Sequence, residues 1–144
     1  MIPELSITEN IFMGNEIVKH GLIDWEEARQ RTMELMERVG LNLNPNTLIK
    51  NLGVGQQQLV EIAKALSKNV KLLILDEPTS ALNEADSANL LELMRGLKSK
   101  GITCIMISHK LNEIAAISDA VTVIRDGRTV ETYPVEAGHV DEDR

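Results

Sequence analysis

Apolar residues along this chain recur at two periods, and the change between them divides the sequence. In "DWEEARQRTMELMERVG", Trp25, Ala28, Thr32, Leu35, Met36 and Val39 fall on one helical face. Asp24 stands at the cap position, Glu27 follows three residues later, and Gly40 suits the helix end. A second amphipathic helix is predicted over 55–69, with Leu59, Ile62, Ala63 and Leu66 at i, i+3, i+4 and i+7. A third, over 84–99, takes Asn83 as its cap and turns Leu90, Leu91, Met94 and Leu97 inward. Near the start, Ser6 precedes Glu9 by three residues, the spacing of a capping box on a short helix.

Between the later helices the apolar runs are short and continuous. "LLIL" at 72–75 reads as a parallel strand covered on both faces, ended by Asp76, Glu77 and the turn signal Pro78. Further strands are predicted over 102–107 and 121–124, with a short helix over 111–116 between them. Asp126-Gly127 in "RDGR" suits a hairpin turn, because both residues tolerate positive φ. "LNLNPNTLIKN" reads as a loop turning at Pro45, and the polar, acidic "PVEAGHVDEDR" from Pro134 onward reads as a linker. The expected fold class is α/β: a largely helical first third, then strands and helices in alternation with right-handed crossovers. Two or three parallel strands would leave an open edge, so the sheet is expected to be incomplete.

Composition narrows the function classes. The 144 residues are enough for one ordinary domain, and 43% hydrophobic with 26% charged residues fits a soluble globular chain. A formal net charge of -7 argues against a broad nucleic-acid surface, and Phe12, Trp25 and Tyr133 as the only aromatics disfavour base stacking. Cys104 is the single cysteine and lies within "ITCIMIS", where it reads as buried filler in a reducing compartment. No apolar run is long enough to span a bilayer, and "MIPELSITEN" lacks the pattern of a signal peptide, so the expected location is cytoplasmic.

The chemistry concentrates at strand ends. Asp76 and Glu77 sit at the carboxyl end of the 72–75 strand, where open α/β sheets place their ligands. Adjacent carboxylates repel unless a cation or proton offsets them, so a metal and a water are the natural occupants. His109 ends the next strand and can reach the same crevice, whereas His20 and His139 have no such setting and read as surface residues. Gly53 and Gly55 flank a helix start, where free N–H groups and the dipole favour an anion and glycines permit its close approach. Taken singly, each feature has an ordinary structural explanation.

Together, "LGVGQQQ" (52–58), "LLILDEP" (72–78), "SALN" (80–83) and "ISHK" (107–110) resemble the signature, Walker B, D-loop and switch-histidine motifs of the nucleotide-binding subunit of an ABC transporter. Each motif is a weak signal, but four in this order are specific. The wording "GQQQLVEIAKAL" and "ISHKLNEI" is most similar to bacterial importers for ribose, xylose, galactose and multiple sugars, and within those to the first of two fused ATPase halves. The resemblance runs from about Leu5 to Tyr133.

It implies a partial P-loop NTPase fold, with a parallel sheet core and an α-helical subdomain. Residues 1–58 would form the helical, signature-bearing part, 59–133 the carboxyl-terminal part of the ATPase core, and 134–144 a linker or tail. The implied ligands are ATP and Mg²⁺. Asp76 would hold the ion directly or through water, Glu77 would orient the attacking water, and His109 would contact the γ-phosphate. Gly53, Val54, Gly55 and Gln56 would meet ATP held by a partner subunit, beside the D-loop residues Ser80, Ala81, Leu82 and Asn83. Two positions depart from the pattern. Gly53 replaces the usual signature serine, and a lost hydrogen bond to a charged group, about 1.5–3 kcal/mol, implies closure weaker by roughly tenfold or more. Asn83 replaces the D-loop aspartate often seen in the family.

No G-x-x-x-x-G-K-[ST] loop occurs in the sequence, although that loop grips the β- and γ-phosphates. With the open sheet edge, this gives the expectation of a chain that starts partway into a domain and is inactive by itself. The implied partners are a second ATPase half or subunit, a membrane permease and, indirectly, a periplasmic or extracellular sugar-binding protein, with no nucleic acid. The implied place is the cytoplasmic face of the cell membrane. Two other readings stay open: a stand-alone interaction module that docks on another ATPase, and a soluble ABC ATPase unconnected with transport.

Overall fold

The computed structural model describes residues 1–135. Its first half is a helical unit made of α1 (Ile7–Phe12), α2 (Trp25–Arg38) and α3 (Val54–Leu66), with a small hairpin of β1 (Val18–Lys19) and β2 (Leu22–Ile23) between α1 and α2. The capping box on α1 forms as its spacing predicts. Glu9 N–H donates to Ser6 Oγ at 3.2 Å, and Ser6 N–H donates back to Glu9 Oε2 at 2.8 Å. Fully buried Asn10 spends its side chain on the preceding segment: Oδ1 accepts from Ile2 N–H at 2.7 Å, and Nδ2 donates to Ile2 O at 3.0 Å.

Asp24 caps α2 as expected, accepting from Glu27 N–H at 3.0 Å. The inward face of α2 is shorter than predicted. Ala28, Thr32, Leu35 and Met36 are buried, but Trp25 is 49% exposed. It follows directly on the hairpin, whose strands are exposed and offer its ring no buried surface. The hairpin itself escaped prediction. His20 and Gly21 both take positive φ, 52° and 82°, which is the turn a two-residue hairpin needs, and His20 is exposed there as expected. α3 stops at Leu66 rather than near 69, and Val60 occupies a fully buried position while Leu59 is only half-buried.

The second part is a β-α-β unit. β3 (Leu72–Asp76) and β4 (Thr103–Ile107) pair in parallel, from Leu72↔Thr103 to Asp76↔Ile107, with α4 (Glu84–Ser99) as the crossover. Leu73 and Leu75 join Leu90, Leu91, Met94 and Leu97 of α4 in a cluster that continues into α1, α2 and α3, so one core serves both parts. The expectation that β3 is covered on both faces is corrected here. Its burial alternates, leaving Leu72 and Ile74 exposed beside Ile105 and Ile107 of β4. No element among the described residues covers that face, and a strand with one packed face shows alternation. Cys104 is half-buried on β4, and burial pushes its thiol up, consistent with a filler role.

α5 (Leu111–Ile117) leads to an antiparallel pair, β5 (Ala120–Arg125) and β6 (Arg128–Pro134). Asp126 and Gly127 turn with positive φ, as "RDGR" predicts. Pro134 closes β6, and Val135 N–H donates to Asp119 O at 2.9 Å; the rest of the expected linker, with His139, lies outside the described residues. None of the helices among the described residues is long and apolar enough to cross a membrane.

Two outcomes test this description. The Ser6 N–H and then its hydroxyl hold the Glu9 carboxyl below its usual value, so their contribution to stability is complete above the unfolded glutamate range. It disappears as pH falls through the lowered folded value. Urea unfolding of wild type and Glu9→Gln should therefore differ at neutral pH and converge in acid; a gap that persists in acid would rule the capping carboxylate out as its source. The open face of Leu72, Ile74, Ile105 and Ile107 should make the isolated chain self-associate in sedimentation, and Ile74→Lys with Ile105→Lys should reduce this. A monomeric wild type would contradict it.

Candidate functional site

Parallel pairing ends β3 and β4 on the same side, and the site begins there. Glu77 leaves the strand with φ of 47°, a conformation that costs a glutamate energy and is concentrated at functional sites. Its N–H still donates to Ile107 O at 2.8 Å, so the ladder continues one bond past Asp76 before the chain turns. The same turn aims the Glu77 side chain at His109: Nδ1 lies 2.9 Å from Glu77 Oε1. An ionised carboxylate only accepts, so Nδ1–H is the donor and Nε2 remains available. The His109 side chain is 73% exposed. The Asp76 carboxylate is exposed and takes no hydrogen bond or ion pair among the described residues.

Behind this pair stands a network that sequence reasoning missed. Thr79, 1% exposed, donates its hydroxyl to Glu113 Oε2 on α5. Glu113 is 8% exposed, and its other oxygen, Oε1, accepts from Lys110 Nζ at 3.2 Å. Lys110 Nζ also donates to Thr79 O at 3.0 Å, closing a ring of contacts. The i, i+3 spacing of Lys110 and Glu113 was visible in "ISHKLNEI", but nothing local connects either to Thr79, more than thirty positions earlier.

The glycine segment and the loop after Pro78 meet elsewhere. Gly53, Val54, Gly55 and Gln56 line a cleft of about 510 Å³ together with Ala81, Leu82 and Asn83. Ser80 is exposed but does not line it, and neither do Asp76, Glu77 or His109. Gly53 is the cap residue of α3 with φ of -66°, so no left-handed backbone demands a glycine there. Its N–H donates to Gln56 Oε1 at 3.1 Å, while glycine has no side chain to return the bond. The first turn of α3 is thus left without a side-chain cap, as an anion-accepting helix start requires. Gly55 has a separate steric reason: a Cβ there would stand 3.1 Å from Asp86 Oδ2. Asp86 is held in place by Asn83, whose Oδ1 accepts the Asp86 N–H at 2.8 Å and whose Nδ2 donates to Asp86 Oδ2 at 2.9 Å.

The sequence profile of the ABC transporter family matches residues 1–80, more than half of the chain. This chain belongs to the ABC transporter family. The L-arabinose transport ATP-binding protein AraG of Geobacillus stearothermophilus is 58% identical over 144 residues, which is 100% of this chain and 28% of the relative. The xylose import ATP-binding protein XylG of Moorella thermoacetica is 58% identical over 132 residues, 92% of this chain and 26% of its own length. The chain therefore spans about a quarter of the length of these curated relatives. Among solved structures, the ATP-binding cassette MJ0796, a dimer in a post-hydrolysis state bound to ADP and Pi, superposes with a TM-score of 0.79 at 27% identity, over 95% of this chain and 60% of that one. A nucleotide-free ATP-binding cassette at 23% identity superposes with a TM-score of 0.81, over 94% and 58% of the two chains, and shows the shared fold. The partial ABC ATPase fold expected from the motifs is thus the fold observed.

In this ABC transporter chain Asn83 does double duty, capping α4 and restraining Asp86 against Gly55. Asn83→Ala is expected to cost about 1 kcal/mol, the usual worth of an N-cap, read as a lower thermal midpoint. Asn83→Ser, which keeps an accepting oxygen at the cap and adds no charge beside Asp86, should recover most of it. Equal losses in both variants would exclude the cap as the cause.

Proposed function

We propose that this chain is part of the ATP-binding subunit of a sugar ABC importer, which couples hydrolysis of Mg-ATP to transport through a membrane permease. The observation that carries the reading is the Glu77–His109 pair, 2.9 Å apart at the ends of adjacent parallel strands, with the Asp76 carboxylate, unpartnered among the described residues, next in sequence. The names of the arabinose and xylose relatives support the sugar class, and the ADP-bound dimer supports a second ATPase half or subunit as partner. In this reading the subunit sits on the cytoplasmic face of the membrane, and a sugar-binding protein acts through the permease. In this reading residues 1–58 belong to the helical part and 59–133 to the ATPase core; the first boundary falls within α3.

The roles follow from what each group has free. Glu77 has one carboxylate oxygen bonded to His109 and another with which to accept a proton from a water. His109, its Nδ1–H fixed on Glu77, presents Nε2 as a donor toward phosphate when protonated and as an acceptor when neutral. Asp76 is the residue that would hold Mg²⁺, directly or through water. One free, exposed carboxylate suits an ion that keeps several waters and binds phosphate oxygens rather than an all-protein cage. When bound, the ion neutralises negative charge on the phosphate oxygens. The uncapped start of α3 at Gly53, Val54, Gly55 and Gln56 is the surface for the γ-phosphate of nucleotide held by the partner, and Ser80 to Asn83 lie along the contact.

The test uses the full-length subunit carrying this segment, assembled with its permease. Glu77→Gln should bind Mg-ATP normally in calorimetry while kcat falls about a hundredfold or more, the usual scale for a general base. Turnover within about twofold of wild type would refute the assignment.

A further inference from the structure

Thr79 and Glu113 are buried, Lys110 is half-buried, and none of the three has a part in the roles above. Their contacts form a closed ring across two loops. The Thr79 hydroxyl donates to Glu113 Oε2, Lys110 Nζ donates to Glu113 Oε1 at 3.2 Å, and the same Nζ donates to Thr79 O at 3.0 Å. A buried carboxylate is costly unless both oxygens are satisfied, and here both are. The start of α5 adds a favourable dipole, since Glu113 lies in its first turn.

The placement of the ring matters more than its stability. Thr79 lies two residues after Glu77 and two before Ala81, and its carbonyl also accepts the Leu82 N–H at 3.2 Å. Lys110 is the residue next to His109. The ring therefore joins the loop that carries Glu77 at one end and Asn83 at the other to the loop that carries His109. We infer that Thr79, Lys110 and Glu113 are positioning residues: they hold the Glu77 loop and the His109 loop in one register, so that the 2.9 Å pair and the Ala81–Asn83 face of the cleft keep a fixed relation. None of the three touches substrate in this account. They act through Glu77, His109 and the D-loop, and the inference rests on the ATPase reading proposed above.

The geometry separates this role from ordinary core packing. His109 is mostly exposed and Glu77 partly so, and a hydrogen bond between such groups alone does not hold a loop. The ring, with Thr79 and Glu113 buried and Lys110 half-buried, supplies the restraint that the exposed pair lacks. Loss of the ring should thus disturb the alignment of the reacting groups more than nucleotide affinity, because none of the three side chains itself touches nucleotide in this account.

The experiment is steady-state ATP hydrolysis by the full-length subunit with its permease, expressed per nucleotide-binding site counted by calorimetry. Thr79→Val keeps the shape and removes the hydroxyl. It should lower kcat about ten- to hundredfold, the scale of a small misplacement of reacting groups, with KM for ATP within about threefold of wild type. Thr79→Ser, which restores the hydroxyl, should recover kcat to within about threefold. If Thr79→Val does not fold, the more accessible Lys110→Met decides by the same division between kcat and KM. Unchanged kcat in the variant that decides, or no recovery by Thr79→Ser where Thr79→Val folds, would overturn the inference. Glu77→Gln run alongside separates the two levels: if it too leaves turnover intact, the ATPase reading has failed; if it alone abolishes turnover, only the positioning role has.

Discussion

Parallel pairing of β3 with β4 is the constraint on which the site depends. Two parallel strands must end on the same side, and the register Asp76↔Ile107 brings the residues that follow each strand to one level. A slip of one residue would turn Leu73 and Leu75 out of the core and move Glu77 away from His109. The apolar burial that fixes the register and the chemistry that uses it are therefore the same fact. α4 enforces it, because its buried stripe of Leu90, Leu91, Met94 and Leu97 belongs to the same cluster as the inward residues of β3.

What could be read in the sequence was what is local. Caps at Ser6, Asp24 and Asn83 depend on residues three apart, and all three form. The "RDGR" turn and the end of β4 at Ile107 follow from short patterns as well, and the end of β3 at Asp76 lies one residue past the expected 72–75 strand. The failures have physical causes of two kinds. The β1–β2 hairpin uses His20 at positive φ, a role in which histidine is uncommon, and Gly21 alone did not suffice to mark it. The burial of Trp25 and of the second face of β3 is not a property of those segments. It depends on what lies against them, and a continuous apolar run reads the same whether one face or both are covered.

The candidate site divides along the same line. The motifs named Asp76, Glu77 and His109, and the structure brings the last two into contact. They named Gly53 to Gln56 and Ser80 to Asn83, and all of these but Ser80 line one cleft. The motifs could not show that a side chain at Gly55 would crowd Asp86, since that contact joins α3 to α4. A glycine at a phosphate-type helix start is usually credited to the ligand, but here a carboxylate of the same chain already limits the space. That carboxylate stands near the uncapped start of α3, so a phosphate approaching the Gly53–Gln56 turn meets Asp86 as part of its electrostatic surroundings.

Fixing a loop requires restraint at both ends, and the loop from Ser80 to Leu82 has it. Upstream, Thr79 is buried and bonded through both its hydroxyl and its carbonyl to α5 and Lys110. Downstream, Asn83 caps α4 and holds Asp86. Only three residues lie between these anchors, and the Leu82 N–H already returns to Thr79 O. A span so short and so tied has little freedom to move independently of its ends. The position of the cleft wall formed by Ala81 and Leu82 is therefore set by the same buried contacts that stand behind Glu77 and His109. Under the function proposed above, with the glycine turn of this chain meeting nucleotide held by a partner, that shared anchorage makes the exposed face report the geometry of the strand-end pair.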